Sequence, residues 1–343
     1  MLTLHQRISA FSELGLIMAE AASDSPSSTE AISLRSLMDM EEQSNKWFTP
    51  DNVKLAVRSI AEMLDKKKLI KWLNNYVIED RTEKNKTIAV IMAGNIPLVG
   101  FHDLLCVLIS GNSIMARTSS KDSRLIKQLS AIIKKVSPEL GKEIVFTEKI
   151  RSDYDAVIAT GSDNTSRYFE YYFGNKPHIF RKNRNSVAII DTNTKKENIV
   201  SLARDIFAYF GLGCRNVSKI YIENGIDIAY FSENWKKWAD IIKHKPYANN
   251  YLYNKSLLNI NKSEYHDSGF FLLVQNDELS SPVSVVNYNY FNDTDSLIDE
   301  LNKISNKIQC IVSDNNVRFG QTQFPEPWEY ADNMDTLEFL LSL

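Results

Sequence analysis

The chain has 343 residues, long enough for two domains of ordinary size, and its 43% hydrophobic and 24% charged residues set it apart from disordered, collagenous and membrane chains. Forty Lys and Arg against 43 Asp and Glu leave a net charge of -3, so no chain-wide basic field exists to hold a polynucleotide, and nucleic acid is not an expected partner. Three distant cysteines, Cys106, Cys214 and Cys310, draw neither a disulfide framework nor a paired-cysteine metal site, which fits a reducing compartment.

In chain order, Leu2, Ile8, Phe11, Leu14 and Ile17 recur at helical steps and predict an amphipathic helix that ends at the SDSPSS loop. Thr49-Pro50-Asp51 offers a hydroxyl N-cap and a proline at the first helical position, and Val53, Ala56, Val57, Ile60 and Met63 continue as one apolar stripe. These helices form a front layer. After the charged stretch 79–86, Thr87–Met92 is a short β-branched run that predicts a buried strand. Helices and strands then alternate: a helix over His102–Ile109, a strand over Ser113–Ala116, a helix over Ser123–Val136, strands over Glu143–Thr147 and Asp155–Thr160, and a helix through Tyr168–Phe173. Such alternation implies right-handed crossovers and a parallel sheet. After Lys182 it resumes, with strands at Ser186–Asp191, Ser218–Ile222, Gly269–Val274 and Val283–Tyr288 and a helix over Ile199–Tyr209. Asn249–Lys262, rich in Asn, Tyr and Lys, is expected to be an irregular connection. The amino terminus lacks an uncharged signal core, and the longest apolar stretch, 97–109, is broken by His102 and Asp103 and falls short of the roughly 20 residues a spanning helix needs. A cytoplasmic protein without a membrane span is expected.

Three segments could carry chemistry. Cys214 sits in Phe210-Gly211-Leu212-Gly213-Cys214-Arg215-Asn216, between an apolar helix and a strand, where two glycines allow a tight turn and Arg215 favours a thiolate. The alternative is a buried inert thiol, which suits Cys106 and Cys310 better because both lie in apolar runs. Asn95, in the turn after the first strand of the alternating region, is placed either to donate to an oxyanion or to bond its own turn. Thr160-Gly161-Ser162 closes a strand and opens a helix, which suits a bound diphosphate or an ordinary helix cap. No GxGxxG, Walker or HExxH motif occurs, and no metal is expected.

In order and spacing these segments resemble the aldehyde dehydrogenase superfamily, and within it the LuxC-type fatty acyl-CoA reductases that supply aldehyde for bacterial luminescence. Asn95 in GNIPL matches the oxyanion asparagine, Ser110–Ser119 the cofactor-ribose segment with Arg117 and Ser119 at its end, Gly161 and Ser162 the diphosphate turn, and Cys214 the nucleophile. Glu278, in ELSSPV, matches the glutamate that holds the nicotinamide ribose, with Ser280-Ser281 replacing Phe-Gly. Where hydrolytic members place a water-activating glutamate, the stretch 181–186 reads RKNRNS and holds no carboxylate. Lys176-Pro177, Asn185 and Ile190-Asp191 are similar instead to CoA-acylating members.

The resemblance implies an aldehyde dehydrogenase-like α/β fold of two doubly wound parallel-type domains: residues 1–184 binding a nicotinamide dinucleotide and carrying the helical layer, 185–318 carrying the catalytic thiol, and a tail 319–343 that either returns to the first domain or serves oligomerisation. It implies reduction of an acyl-CoA or other acyl thioester to a fatty aldehyde through acyl-Cys214. NADPH is preferred over NADH because Arg117 and Lys121 flank Ser119 and Ser120 and no acidic residue stands at that strand end. A homo-oligomer, and a complex with an acyl-activating or acyl-transfer protein, are the expected assemblies. The alternatives are a non-acylating NAD(P)-dependent aldehyde dehydrogenase and a catalytically inactive acyl-binding scaffold.

Overall fold

A computed structural model describes residues 2–78, 85–161 and 163–343, and the chain divides into two compact units, 1–183 with 324–343 and 184–323. The first unit begins with four helices, α1 (Leu4–Ala22), α2 (Thr29–Ser44), α3 (Pro50–Met63) and α4 (Lys66–Leu73). Phe11, Leu14 and Met18 of α1 lie at helical steps and are fully buried against Leu34 of α2 and Val53 and Val57 of α3, so the layer is held by one shared apolar core. Thr49 is the N-cap of α3 and Pro50 its first residue, but the Thr49 side chain makes no capping bond. α2, which Ser28 caps by accepting from the Ala31 amide, and α4, which Asp65 caps, add to the helices expected of this layer.

The unit continues through β1 (Thr87–Ile91), α5 (Phe101–Ile109), β2 (Ser113–Arg117), α6 (Arg124–Val136), α7 (Pro138–Lys142), β3 (Ile144–Phe146), β4 (Ala156–Thr160), α8 (Asp163–Phe173) and β5 (His178–Arg181). Its five strands are all parallel in the order β3-β2-β1-β4-β5. The order reverses between β1 and β4, and a crevice opens at such a switch, outside the carboxyl ends of the strands. The candidate cofactor residues Arg117, Ser119 and Gly161 stand at or just after these strand ends.

The second unit runs β6 (Asn185–Ile190), α9 (Lys196–Phe207), β7 (Val217–Glu223), α10 (Ala229–Asn234), α11 (Lys245–Ile260), β8 (His266–Asp267), β9 (Leu272–Gln275), β10 (Val285–Phe291), α12 (Thr294–Lys303) and β11 (Ile308–Val312). Its sheet order is β11-β6-β7-β10-β9-β8. All pairings are parallel except β8 with β9, so this sheet too is of parallel type, with one antiparallel pair at its edge.

Two expectations are corrected. Residues 249–262 are not an irregular connection, because α11 covers most of them: Tyr247, Tyr251 and Asn254 share one buried face, and that burial overrides the weak helix propensity of the asparagines. The helix expected through Tyr209 ends at Phe207, where the backbone turns left-handed. Phe324–Leu343 belongs to the first unit and ends in α13 (Thr336–Leu341). Leu337 and Leu340 of α13 and Tyr330 join the first core, and the Trp72 indole donates to the Tyr330 hydroxyl at 2.8 Å. No helix among the described residues is long and apolar enough to cross a membrane.

Candidate active site

In the first unit the turn after β1 carries Asn95, which is exposed, and β2 ends at Arg117, also exposed. β1 pairs with β2 up to Ile91 against Arg117, and with β4 up to Ile91 against Ala159. Asn95, Arg117, Ser119 and Gly161 therefore follow three neighbouring strand ends at the switch point. The register makes the local packing tight: a Cβ on Gly94 would lie 2.5 Å from Ser119 Oγ and 3.3 Å from Asp122 Cβ, so only glycine lets the Asn95 turn rest on the Ser119–Asp122 turn. At Gly161 a Cβ would press on Thr165 and Phe169 of α8 at 3.0 Å, so glycine also allows this helix to start close against its strand. Ser162 lies outside the described residues.

The Asn95 turn contains a costly conformation. Leu98 has φ of 59°, a left-handed backbone that disfavours a bulky residue by roughly 1–2 kcal/mol. Asp122 fixes it by accepting from the Leu98 amide at 2.7 Å and from the Val99 amide. Asp122 is 4% exposed and its Oδ1 has no partner among the described residues. Burial pushes its carboxyl up to about 7, with the amide bonds opposing and Glu41 adding to the rise. The acidic residue nearest in sequence to Arg117 on this side thus faces the interior.

In the second unit α9 leads into three successive left-handed residues, Tyr209 (φ 50°), Phe210 (φ 58°) and Gly211 (φ 78°), and then into a turn in which the Asn216 amide donates to the Gly213 carbonyl at 3.0 Å. Cys214 and Arg215 occupy its two central positions. Asn216 anchors the turn twice: its Oδ1 accepts from the Gly213 amide at 2.8 Å, and its Nδ2 donates to the Asp205 and Ala208 carbonyls at 3.0 and 2.8 Å. The Ser186 hydroxyl of β6 donates to the Cys214 carbonyl at 2.9 Å.

Arg215 is tied to the support of this turn, its Nε donating to the Thr322 carbonyl at 2.5 Å. The Thr322 amide and hydroxyl donate to Asp205 Oδ1 at 3.0 and 2.9 Å, and the Gly320 amide donates to Oδ2 at 2.6 Å. Asp205 is fully buried, and burial pushes its carboxyl up to about 6 against these hydrogen bonds and Arg204. One carboxylate therefore ties α9 to the 320–322 segment, and through Thr322 to the residue beside Cys214. Of the three cysteines, none of which forms a disulfide, Cys106 and Cys310 are buried and Cys214 is partly exposed. Burial raises the Cys106 thiol well above its ordinary value.

Glu278 is exposed in the loop between β9 and β10. That loop folds back over buried polar groups: Lys219 Nζ donates to the Asn276 and Asp277 carbonyls at 2.9 and 2.8 Å, Asn287 Nδ2 to the Glu278 and Ser280 carbonyls at 3.0 and 2.9 Å, and the Ser218 hydroxyl to the Leu279 carbonyl at 2.7 Å. Burial lowers the Lys219 ammonium pKa while Asp277 and Glu278 oppose the shift. Ser186 and Ser218 lie at the starts of neighbouring strands β6 and β7, so the Cys214 and Glu278 loops are fastened at the same end of this sheet. The stretch 181–186 links β5 to β6 without a carboxylate of its own; Arg181 is buried, with both Asp103 carboxylate oxygens 2.6 Å from its Nη1 and Thr336 accepting from Nη2 at 2.7 Å.

The supporting residues Asp122, Asp205, Asn216 and Lys219 are not among those the sequence motifs single out. Asp205 carried a readable signal, an acid on the apolar stripe of Ile199, Leu202 and Ile206. The others depend on loops folding back, which no local pattern encodes. No metal-binding cluster occurs among the described residues.

A profile of the acyl-CoA reductase (LuxC) family matches residues 28–250. A curated relative, long-chain acyl-protein thioester reductase 2 of Photobacterium leiognathi, is 25% identical over 170 residues, which cover 44% of this chain and 36% of that protein. The chain thus matches little more than a third of that relative's length. Among solved structures, an aldehyde dehydrogenase of Bacillus cereus in complex with NAD+ superposes with a TM-score of 0.63 at 14% identity, covering 92% of this chain and 72% of that one. Aldehyde dehydrogenase 21 of Physcomitrella patens, in complex with succinate, gives 0.60 at 12% identity, with 88% and 71% covered. These likenesses show that the fold is that of an aldehyde dehydrogenase.

Proposed function

Because the chain belongs to the acyl-CoA reductase (LuxC) family, we propose that it reduces an acyl thioester, with acyl-CoA as the donor class and a fatty chain as its acyl group, to the aldehyde through a covalent acyl-Cys214. The observation that carries this reading is that Cys214 alone of the three cysteines is accessible, on a turn held by Asn216, Ser186 and the Asp205–Thr322–Arg215 chain.

In this reading the Cys214 thiolate attacks the thioester carbonyl carbon, forming a C–S bond; the oxyanion collapses and CoA leaves as its thiolate, which takes up a proton. The Asn95 side-chain amide and the Cys214 backbone N–H are the proposed donors to that oxyanion, a role in which each donor contributes about 3–4 kcal/mol. The residues named below would hold a reduced nicotinamide, whose chemistry when bound would be to give hydride to the acyl carbon. The alkoxide on the carbon joined to Cys214 would then re-form its carbonyl as the C–S bond breaks, releasing aldehyde and leaving Cys214 as the thiolate.

The proposed cofactor residues are Arg117, Ser119, Gly161, Ser162 and Glu278. The residues present suit a dinucleotide: Gly161 lets α8 start close against the β4 end, an exposed cation ends β2, and the strand order reverses there. NADPH is the preferred form, since Arg117 and Lys121 are exposed while Asp122 is turned inward to Leu98. A non-acylating aldehyde dehydrogenase would need a water-activating base, and no carboxylate stands in 181–186 to supply one.

Steady-state assay of a series of acyl-CoA donors of increasing chain length with NADPH and with NADH, read by aldehyde release, tests all of this together. Aldehyde formation with NADPH favoured, and that preference narrowed in Arg117→Ala, is the expected result. Oxidation of aldehydes to acids without any acyl-CoA turnover would replace the reading with the non-acylating one, and inertness toward every donor would favour the scaffold.

A further inference from the structure

Helix α11 of the second unit carries large apolar side chains on its outward side as well as its buried one, the outward ones standing among Asn249, Ser256 and Asn259. Tyr247, Tyr251 and Asn254 point into the unit, and Asn254 Nδ2 donates to the Val283 carbonyl at 2.9 Å. On the other side Leu252 is 59% exposed, Tyr253 67%, Leu257 43% and Ile260 77%. At 100° per residue these four fall within one broad sector facing away from the buried one. A helix with a single solvent face places polar residues there, so an outward row of two leucines, an isoleucine and a tyrosine marks a surface that something covers.

The charge around this row indicates what. Residues 236–262 contain six lysines and one acid, Asp240, in a chain whose net charge is -3. Asp240 pairs with Lys243 at 2.8 Å, and Lys255 pairs with Asp267 at 2.6 Å. The remaining four, Lys236, Lys237, Lys245 and Lys262, are exposed and carry no ion pair among the described residues. Lys245 and Lys262 bracket the helix, and Lys236 and Lys237 begin the short 3-10 stretch Lys236–Lys243 that packs against it. A second copy of this chain docking by the same face would bring two identical sets of lysines together, as a two-fold contact requires, and like charges would oppose it. A bilayer surface bearing anionic lipid answers both features, taking apolar side chains into the acyl boundary and lysines among the headgroups.

We infer that α11, with its flanking lysines, is a docking surface that seats this protein on anionic lipid bilayers. Leu252, Tyr253, Leu257 and Ile260 enter the headgroup boundary, and Lys236, Lys237, Lys245 and Lys262 meet lipid phosphates. The inference uses neither Cys214 nor any residue of the candidate active site, and it stands or falls independently of the acyl-transfer reading.

Flotation of the full chain with phosphatidylcholine vesicles, with and without phosphatidylglycerol, tests it. The wild type should float with the phosphatidylglycerol vesicles at low salt, remain unbound with phosphatidylcholine alone, and be released at high salt. Leu252→Glu combined with Ile260→Glu should weaken binding by about 10-fold or more, and Lys245→Gln combined with Lys262→Gln by several-fold with a shallower salt dependence. Hydrogen exchange of the wild type provides a readout free of any folding defect in the variants: added anionic vesicles should slow exchange in 245–260 and leave 87–117 unchanged. Failure of the wild type to float, equal flotation of both variants, or conversion of a stable dimer to monomer by the Leu252/Ile260 pair with no vesicle binding would overturn the inference, the last in favour of a contact between copies.

Discussion

The Asn95 turn of the first unit and the Cys214 turn of the second solve one mechanical problem in two ways. Each contains bulky residues with left-handed backbone, Leu98 in one and Tyr209 and Phe210 in the other, and each is tied down by a buried aspartate that accepts backbone amides. Asp205 has donors on both oxygens and its carboxyl rises to about 6, whereas Asp122 leaves Oδ1 without a partner among the described residues and rises to about 7. Burial raises both carboxyls; at Asp205 the hydrogen bonds on both oxygens and Arg204 oppose the rise, whereas at Asp122 only the amide bonds oppose it and Glu41 adds to it. The cysteine-bearing turn has the fully satisfied anchor, and the asparagine-bearing turn an anchor whose charge is held at a cost.

The largest expected effect is chemical. Cys214→Ala should abolish aldehyde formation, a fall of about 10⁴-fold or more, while Cys106→Ala and Cys310→Ala retain turnover, as measured by NADPH-dependent aldehyde release. Removal of the well-satisfied anchor comes next. Asp205→Asn must turn an amide N–H toward either the Gly320 or the Thr322 amide, so it should cost about 2–3 kcal/mol in denaturant unfolding and slow turnover about 10-fold or more. Equal stability and rate in that variant would show that the Asp205–Thr322–Arg215 chain does not hold the cysteine turn.

A smaller effect is expected at Gly94. Gly94→Ala should cost about 1–3 kcal/mol because its Cβ meets Ser119, and Ser119→Gly in the same chain should recover most of it in a double-mutant cycle.

The least effect, and the only favourable one, belongs to Asp122→Asn. Its amide oxygen still accepts from Leu98 while the buried charge is gone, so thermal unfolding at pH 8 should show a gain of about 1–2 kcal/mol that shrinks as pH falls and disappears only below about pH 4, where Asp122 is protonated in the folded and unfolded chain alike. The sign follows from raised pKa values: the folded protein binds these protons more tightly than the unfolded chain, so the contribution of Asp122 and Asp205 is full below about pH 4 and is lost as pH climbs through about 6 for Asp205 and about 7 for Asp122. Loss of stability in Asp122→Asn at pH 8 would mean that the carboxylate charge itself holds Leu98, and the contrast between the two anchors would fail.

Much of this architecture is legible in the residue pattern, and the parts that are not have identifiable causes. Thr87–Ile91 and Ala156–Thr160 read as strands because β-branched and small apolar residues run unbroken, the mark of parallel strands buried on both faces. Asn249–Lys262 reads as irregular because Asn and Tyr are poor helix formers taken singly, and only burial of Tyr247 and Tyr251 against the unit makes 245–260 helical. The end of α9 was overrun because nothing in Ala-Tyr-Phe announces a left-handed backbone; Gly211 alone hints at it. In the candidate site, Cys214 stood out because its glycine-rich surroundings differ from the apolar runs around Cys106 and Cys310. Its anchors did not, since Asp205 meets Thr322 across 117 positions and Asp122 meets Leu98 only after two strand-end turns fold together.

The central claim is that Cys214 carries the acyl group. Mass spectrometry of the wild type after brief exposure to a long-chain acyl-CoA, without nicotinamide, measures it directly. The account predicts one acyl group per chain on the peptide containing Cys214, discharged as aldehyde when NADPH is added. Acylation of the peptides containing Cys106 or Cys310, or an unmodified chain under conditions of active turnover, would contradict it.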